Sequence, residues 1–489
     1  MKQEDFFSSR WMLIISTLGI AVGTGNIWRF SRVVAQNEGG TFLIPWVIFL
    51  FLWSLPLIIS EFALGKSTRK GPIHAIAETA GKNYAWMGAF IVFVATAIMF
   101  YYSVVTGWCL RYFSTAMTGE LFSVNDHLDF WNQFSNGYQP AVFHLLVILL
   151  CGAIVYHGIS KGIERVSRYL VPSLLIILVI LFIRAVTLPG ALDGLNYFFT
   201  PNFAKLADYR IWLNALTQNA WDTGAGWGLI MVYAIYMRQK EDIALNAALI
   251  GFGNNSISLL AGMMIFSTVF SLSSADAMVE IAKSGPANTG LTFIYLPQLF
   301  EKITGSSSVN ILLASLFFLA LFFAALTSLI SMVELATRTF IDAGINRRRA
   351  IIIVVALGAL LGIPSAFSSS FLINQDWVWG VALMLSGAFI AFAVIKHGAA
   401  RFRETVINHE GSDIKIGRWY DILITWVVPV QAVALILWWL ISSVTWDAEW
   451  WNPFHVENAG TVLFQWGLVL AVLISVNKLL TRSAKGNIS

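Results

Sequence analysis

Residues 19–30, GIAVGTGNIWRF, place glycines at 19, 23 and 25 inside an apolar run long enough to cross a membrane. Each glycine costs a helix interior about 0.5–1 kcal/mol relative to alanine. In lipid, every freed amide or carbonyl must also find another partner. The stretch therefore reads as a helix opened so that its backbone can serve something other than its own hydrogen bonds.

The surrounding chain is a membrane protein by composition. Its 489 residues are 57% hydrophobic and 12% charged, against about 25% charged in soluble domains. Twelve apolar runs of spanning length recur, near 11–35, 41–65, 86–113, 141–158, 167–187, 211–236, 242–271, 310–340, 350–367, 377–397, 419–442 and 461–480. The expected class is an all-α polytopic membrane protein embedded in a lipid bilayer. The opening Met1-Lys-Gln-Glu-Asp-Phe-Phe7 does not read as a cleavable signal, because the first run leads into Trp28-Arg-Phe30 rather than a small-residue cleavage site.

The net charge of +4 needs no nucleic acid to explain it. Lys66, Arg69, Lys70, Lys161, Arg165, Arg168, Arg238, Lys240, Arg347, Arg348, Arg349, Lys396, Arg401 and Arg403 fall in alternate short loops. By the positive-inside rule these face the cytoplasm, and both termini with them, in a cell membrane. Cys109 and Cys151 lie within expected spans, so a disulfide framework is not expected. The seven histidines show no metal-ligand spacing.

The sixth run is broken like the first: Gln218-Asn-Ala-Trp-Asp-Thr-Gly-Ala-Gly-Trp-Gly228 has three glycines and an aspartate at mid-span. First and sixth of the leading ten runs suggests two five-helix halves, residues 1–187 and 211–397, with 419–480 peripheral. Glycine-interrupted segments at corresponding places in two halves point to a transporter's binding site. Close helix packing through small residues remains an alternative for Gly19 and Gly23. A carboxylate at mid-membrane faces a cavity, a partner or an ion, so Asp222 is either an ion-site residue or a satisfied polar contact. Asn26 and Asn254 favour the ion site, since amide, carboxylate and carbonyl oxygens suit a small alkali cation. Thr327 and Ser328 in the eighth run offer hydroxyls for a second site, or bond back to their own helix.

These residues resemble a known family. GIAVGTGNIWRF, the following Asn37-Glu-Gly-Gly-Thr-Phe-Leu-Ile-Pro45, the pair Tyr101-Tyr102 and Phe322-Phe-Ala-Ala-Leu-Thr-Ser328 are similar to motifs of the neurotransmitter:sodium symporters, in unbroken order from about residue 8 to 440. The resemblance implies the LeuT-type fold, a 5+5 inverted repeat with unwound helices 1 and 6 plus two C-terminal helices, and two sodium ions. It implies a first sodium site from Ala21, Asn26, Asp222 and Asn254, and a second from Gly19, Val22, Ala324, Thr327 and Ser328. Asp222 departs from the family, which usually has Thr or Ser there, and Trp46 stands for a tyrosine that helps hold chloride in chloride-dependent members. Gln218, Asp222, Asn254 and Ser258 mark that charge-compensation region. The expectation is chloride-independent transport with Asp222 supplying the negative charge, and, on the empty return step, an Asp222 that carries a proton.

Gly23 occupies the place where monoamine carriers have an aspartate, so the resemblance implies a substrate that brings its own carboxylate: an amino acid. Tyr102 and the amides near Thr24 and Gly25 would receive it. Ile20, Ala21, Ile98, Gly224, Trp227, Ser328 and Met332 would line the rest, with Trp221 as an aromatic lid. Apolar lining favours a neutral side chain. The function so implied is sodium-coupled symport of neutral, hydrophobic amino acids by alternating access. Arg29 and Asp376 correspond to the outer gate, and Tyr236 and Asp342 to the inner gate. The inner gate's usual basic partner is Glu4 here, with Lys2 or Arg10 as substitutes, and Gly285-Pro-Ala-Asn-Thr-Gly-Leu-Thr-Phe293 resembles an external plug. Rival readings are a carrier of another zwitterion such as a betaine or taurine, and a transport-incompetent sensor or channel. An enzyme is not expected, for want of a nucleophile–base pair or metal motif.

Overall fold

The computed structural model describes residues 6–272, 290–409, 412–446 and 448–481. Among them the regular structure is helical throughout. Nine helices are long and apolar enough to span a membrane: α3 (Gly40–Thr68), α4 (Lys82–Thr118), α5 (Gln139–Tyr156), α6 (Ile159–Val186), α9 (Ile243–Leu272), α10 (Ser307–Asp342), α11 (Arg347–Phe367), α12 (Ser369–His397) and α13 (Trp419–Thr445). The first expected span is instead two helices, α1 (Arg10–Ala21) and α2 (Gly25–Gln36), bent by 59°. The sixth is α7 (Tyr209–Asp222) and α8 (Leu229–Ala234), parted by six residues. The twelfth, α14 (Ala459–Ser475), has 17 residues, one fewer than α5, the shortest of the nine.

The two breaks differ in cause. Between α7 and α8, Gly224, Gly226 and Gly228 have φ of +72°, +90° and +76°, values that penalise any Cβ. Glycine is required there by conformation. In the first break no glycine has positive φ; Val22 leaves the helix through extended backbone, and Gly25–Arg29 forms a wide π-helical turn. Gly19 and Gly23 instead make room. A Cβ on Gly19 would lie 3.0 Å from Val171 Cγ2 and 3.1 Å from Thr327 Cβ, and one on Gly23 3.2 Å from both Ser328 Oγ and Tyr102 Oη. Close approach, not backbone freedom, is what these two positions need.

Packing brings the breaks together. α10 runs along α4, α1 lies against α6, α9 and α10, and α7 and α8 lie against successive halves of α3. α12 packs on α4 and α13, and α11 on α5. The loops rich in Lys and Arg share one face of the bundle, here termed the basic face. Phe7 and Ser8 are held against that face. Phe7 is buried with its ring 5.8 Å from Tyr233, its amide donates to the Tyr236 carbonyl at 3.2 Å, and Arg238 donates to the carbonyls of Phe7 and Ser8.

Candidate functional site

The two breaks border a cavity of about 390 Å³ that also reaches Trp438, Trp439 and Glu457, on the side away from the basic face. Residues expected in a substrate site line it: Ile20, Ala21, Gly23, Thr24, Gly25, Tyr102, Trp221, Asp222, Gly224, Trp227, Ser328 and Met332. Ile98 is fully buried and is not among the lining residues; Val105, one turn beyond Tyr102 on α4, is. Ile20, Val105, Trp227, Met332, Val381 and Met384 are among the cavity's apolar lining.

Asn26 organises the first break. Its Oδ1 accepts the Gly23 amide at 2.8 Å, and its Nδ2 donates to Ser258 Oγ at 2.9 Å and to the Asn254 side chain at 2.7 Å. The same terminal atom of the Asn254 amide lies 2.9 Å from the carbonyl oxygen of Asp222 and 3.1 Å from that of Ala21. With nitrogen there, Asn254 donates to both carbonyls. With oxygen there, three oxygens face one another, a repulsion that a cation relieves. Ala21, Asn26, Asp222 and Asn254 thus meet at one point, drawn from α1, α2, α7 and α9.

The Asp222 carboxylate is 3% exposed. Its Oδ2 accepts from Gln218 Nε2 at 3.3 Å, one helical turn earlier, and Gln218 Nε2 also lies 3.5 Å from the Gly25 carbonyl. The Trp46 indole neighbours the carboxylate, yet neither Trp46 Nε1 nor Asp222 Oδ1 makes a hydrogen bond of good geometry. A buried carboxylate oxygen in that condition is costly unless a cation comes close.

The second cluster forms where α1 meets α10. Ser328 Oγ lies 3.4 Å from the Gly19 carbonyl oxygen, 3.2 Å from that of Ile20 and 3.2 Å from that of Ala324. Thr327 Oγ1 donates to the carbonyls of Phe323 and Ala324 at 3.0 and 3.1 Å. Both hydroxyls thus bond back to their own helix, and Ser328 also reaches the first break. Val22 is fully buried.

Next to both clusters, the Tyr102 oxygen accepts from the Thr24 amide at 3.3 Å and lies 3.1 Å from Thr24 Oγ1. Either hydroxyl can be the donor in that last contact. Above, the Arg29 guanidinium lies over the Trp221 ring at 4.9 Å. Asp376 accepts from Tyr101 Oη at 2.9 Å. Arg29 and Asp376 are beyond ion-pair distance of each other, which leaves the cavity continuous past them. Of the plug-like loop, residues 285–289 lie outside the described residues; Phe293 is buried and stacks on Trp131 at 5.3 Å.

Three features were not anticipated from sequence. Glu61 of α3, fully buried, accepts from the amides of Gly226 at 2.6 Å and Met231 at 3.2 Å. Its carboxylate replaces the helix partners that the second break removes. On the basic face, Tyr236 donates not to Asp342 but to Glu334 Oε1 at 2.7 Å, and Glu334 is held by Arg347 at 3.0 and 2.6 Å. Asp342 pairs with Arg338 at 2.7 Å and accepts from the Gly71 amide at 2.6 Å. Arg10 pairs with Asp413 at 2.9 Å rather than with Asp342, while Lys2 and Glu4 lie outside the described residues. The basic partners here are Arg238, Arg338 and Arg347. A lone Glu in the apolar run of α3, and a Glu eight residues, about two turns, before Asp342 on α10, are sequence signals of a buried charge that needs a partner, although neither names which partner.

Comparison with known proteins agrees with this architecture. The family model described as "Sodium:neurotransmitter symporter family" matches residues 4–136 and 122–483. An uncharacterised sodium-dependent transporter of Methanocaldococcus jannaschii is 32% identical over 450 residues, 89% of this chain and 90% of the relative. The uncharacterised sodium-dependent transporter YhdH of Bacillus subtilis is 28% identical over 88% of this chain and 96% of its own. Among solved structures, MhsT in complex with L-phenylalanine superposes with a TM-score of 0.76 at 27% identity, covering 88% of this chain and 99% of MhsT. The helices broken around one cavity, with this match along nearly the whole sequence, show that the chain is a multi-pass membrane transporter, not an enzyme, that uses sodium and belongs to the sodium:neurotransmitter symporter family.

Proposed function

We propose that the chain takes up neutral, mainly hydrophobic amino acids with two sodium ions by alternating access, without chloride. The observation that carries this reading is the meeting of the Ala21 and Asp222 carbonyls with the Asn26 and Asn254 amides beside the Tyr102–Thr24 pair. In this reading the substrate carboxylate completes the first sodium site and receives the Tyr102 hydroxyl, because Gly23 brings no acid of its own. The second ion takes the carbonyls of Gly19, Val22 and Ala324 with the hydroxyls of Thr327 and Ser328. Apolar neighbours in the cavity favour an uncharged side chain, and the complex of MhsT with L-phenylalanine supports an amino acid.

Asp222 supplies the negative charge that chloride provides elsewhere in the family, with Gln218, Asn254 and Ser258 around it, and it carries a proton on the empty return step. Asp222→Asn then abolishes the pH dependence of uptake. The chain's first five spans (1–187) and the next five (211–397) act as opposed repeats, with 419–480 outside them. Arg29 and Asp376 close the outer path, and the Tyr236–Glu334–Arg347 group with Asp342 closes the basic, cytoplasmic face of a cell-membrane protein. The test is thermal stabilisation of purified protein by each of the twenty L-amino acids, glycine betaine and taurine, in sodium against choline. The proposal expects aliphatic or aromatic amino acids to stabilise only with sodium. Stabilisation by taurine or betaine alone overturns the substrate class, and absence of any sodium-dependent shift overturns the reading as a whole.

A further inference from the structure

α12 carries Gly380 and Gly387 seven residues apart, two turns along one helix face. Gly387 meets the break between α7 and α8, and Gly380 meets Trp221 in the last turn of α7. Gly226 approaches so closely that a Cβ on it would lie 3.0 Å from Gly387 Cα. A Cβ on Gly380 would lie 2.5 Å from Cζ2 of Trp221, 3.1 Å from Cε2 and 3.3 Å from Nε1. The indole cannot yield easily. Arg29 covers its face at 4.9 Å, and Trp227 meets it edge-on at 5.6 Å, itself tied by Nε1 to the Ala220 carbonyl at 3.2 Å. Gly380 keeps φ in the ordinary range, so its lack of a side chain serves space and not conformation.

We propose that Gly380 is the positioning residue for the Trp221 lid: the bare backbone at this one place on α12 lets the indole lie across the cavity and sets how far the site can close. Asp376, one turn earlier on α12, accepts from Tyr101, so consecutive turns of this helix hold α4 and seat the lid. The inference rests on the reading of Trp221 as a lid, but on no particular substrate.

The experiment is a thiol-labelling cycle read without substrate, which separates it from any failure of amino-acid transport. Met332→Cys places a reporter on the cavity wall one turn beyond Ser328, while native Cys109 and Cys151 are fully buried. A membrane-impermeant methanethiosulfonate is applied to intact cells in sodium medium. Gly380→Ala, by displacing the lid, raises the labelling rate about tenfold, and the same change made in a Trp221→Phe background, whose smaller ring clears the new methyl, alters it less than about twofold. Equal effects in the two backgrounds, or none in either, overturn the proposal. Should Gly380→Ala fail to reach the surface, recovery of surface protein by adding Trp221→Phe supports the clash. Failure of both variants assigns Gly380 to helix packing alone and overturns the role.

Discussion

Asp222→Asn changes charge with little change of shape: Gln218 keeps an oxygen to donate to, and one negative charge leaves a residue only 3% exposed. The Asp222 carbonyl belongs to the converging oxygens, so its own carboxylate sits within one side chain's reach of a bound cation. At about 4 Å and an effective dielectric of about 20, that pair contributes about 4 kcal/mol. Arg29, within electrostatic range of Asp222, offsets part of it, so about 4 kcal/mol is the upper end of the range and one decade in affinity, about 1.4 kcal/mol, is taken as the smallest effect consistent with the role. The half-saturating sodium concentration therefore rises between about tenfold and about a thousandfold. At a pH high enough to keep Asp222 ionised without sodium, the sodium-free protein should respond in the opposite sense, because the substitution then removes a poorly satisfied buried charge and so raises the apo melting midpoint. Thermal unfolding titrated with sodium chloride against choline chloride at pH 8 and constant ionic strength reads both quantities. A sodium half-saturation unchanged from wild type would refute the electrostatic role of Asp222, whatever happens to the apo midpoint.

Tyr102→Phe removes a hydroxyl proposed to meet a charged carboxylate, a bond of about 1.5–3 kcal/mol, so substrate affinity falls about tenfold to a hundredfold; equilibrium binding in sodium checks it, and sodium stabilisation without substrate should stay within about twofold. Glu61→Ala leaves the Gly226 and Met231 amides buried without their carboxylate and is expected to lower folded protein in the membrane sharply, while Glu61→Gln, which keeps one accepting oxygen, retains more. Size-exclusion profiles of fluorescent fusions give the ranking, and equal yields of the two variants would count against the capping role. Arg347→Ala strands the fully buried Glu334 charge and costs about 3–5 kcal/mol. Adding Glu334→Gln should return most of that loss in the melting midpoint.

Hydrophobic run length and the twin glycine clusters made the helical bundle and its two interruptions legible from the residues. Asn26, Asp222 and Asn254, almost 230 residues apart at the extremes, do come together, since polar groups within apolar runs have few places to go but toward one another. The reason for each glycine was harder to read: positive φ at 224, 226 and 228 follows from the need to pass six residues without helix, whereas Gly19 and Gly23 answer to Val171, Thr327, Ser328 and Tyr102, neighbours that only packing reveals. Glu61, Glu334 and Gly380 escaped for the same reason. Each acts on a segment distant in sequence, and nothing local to it names that partner. Ile98 lies one turn from Tyr102 on the same helix, but α4 turns it into the core, a rotation that spacing alone does not set.

Uptake into proteoliposomes tests the account's central claim most directly, using whichever amino acid gives the largest sodium-dependent stabilisation. With an inward sodium gradient and gluconate as the sole anion, the account predicts accumulation above the outside concentration, lost when gramicidin dissipates the gradient. Equal uptake with choline in place of sodium would contradict sodium-coupled symport, and uptake that collapses in gluconate but recovers in chloride would contradict the part assigned to Asp222.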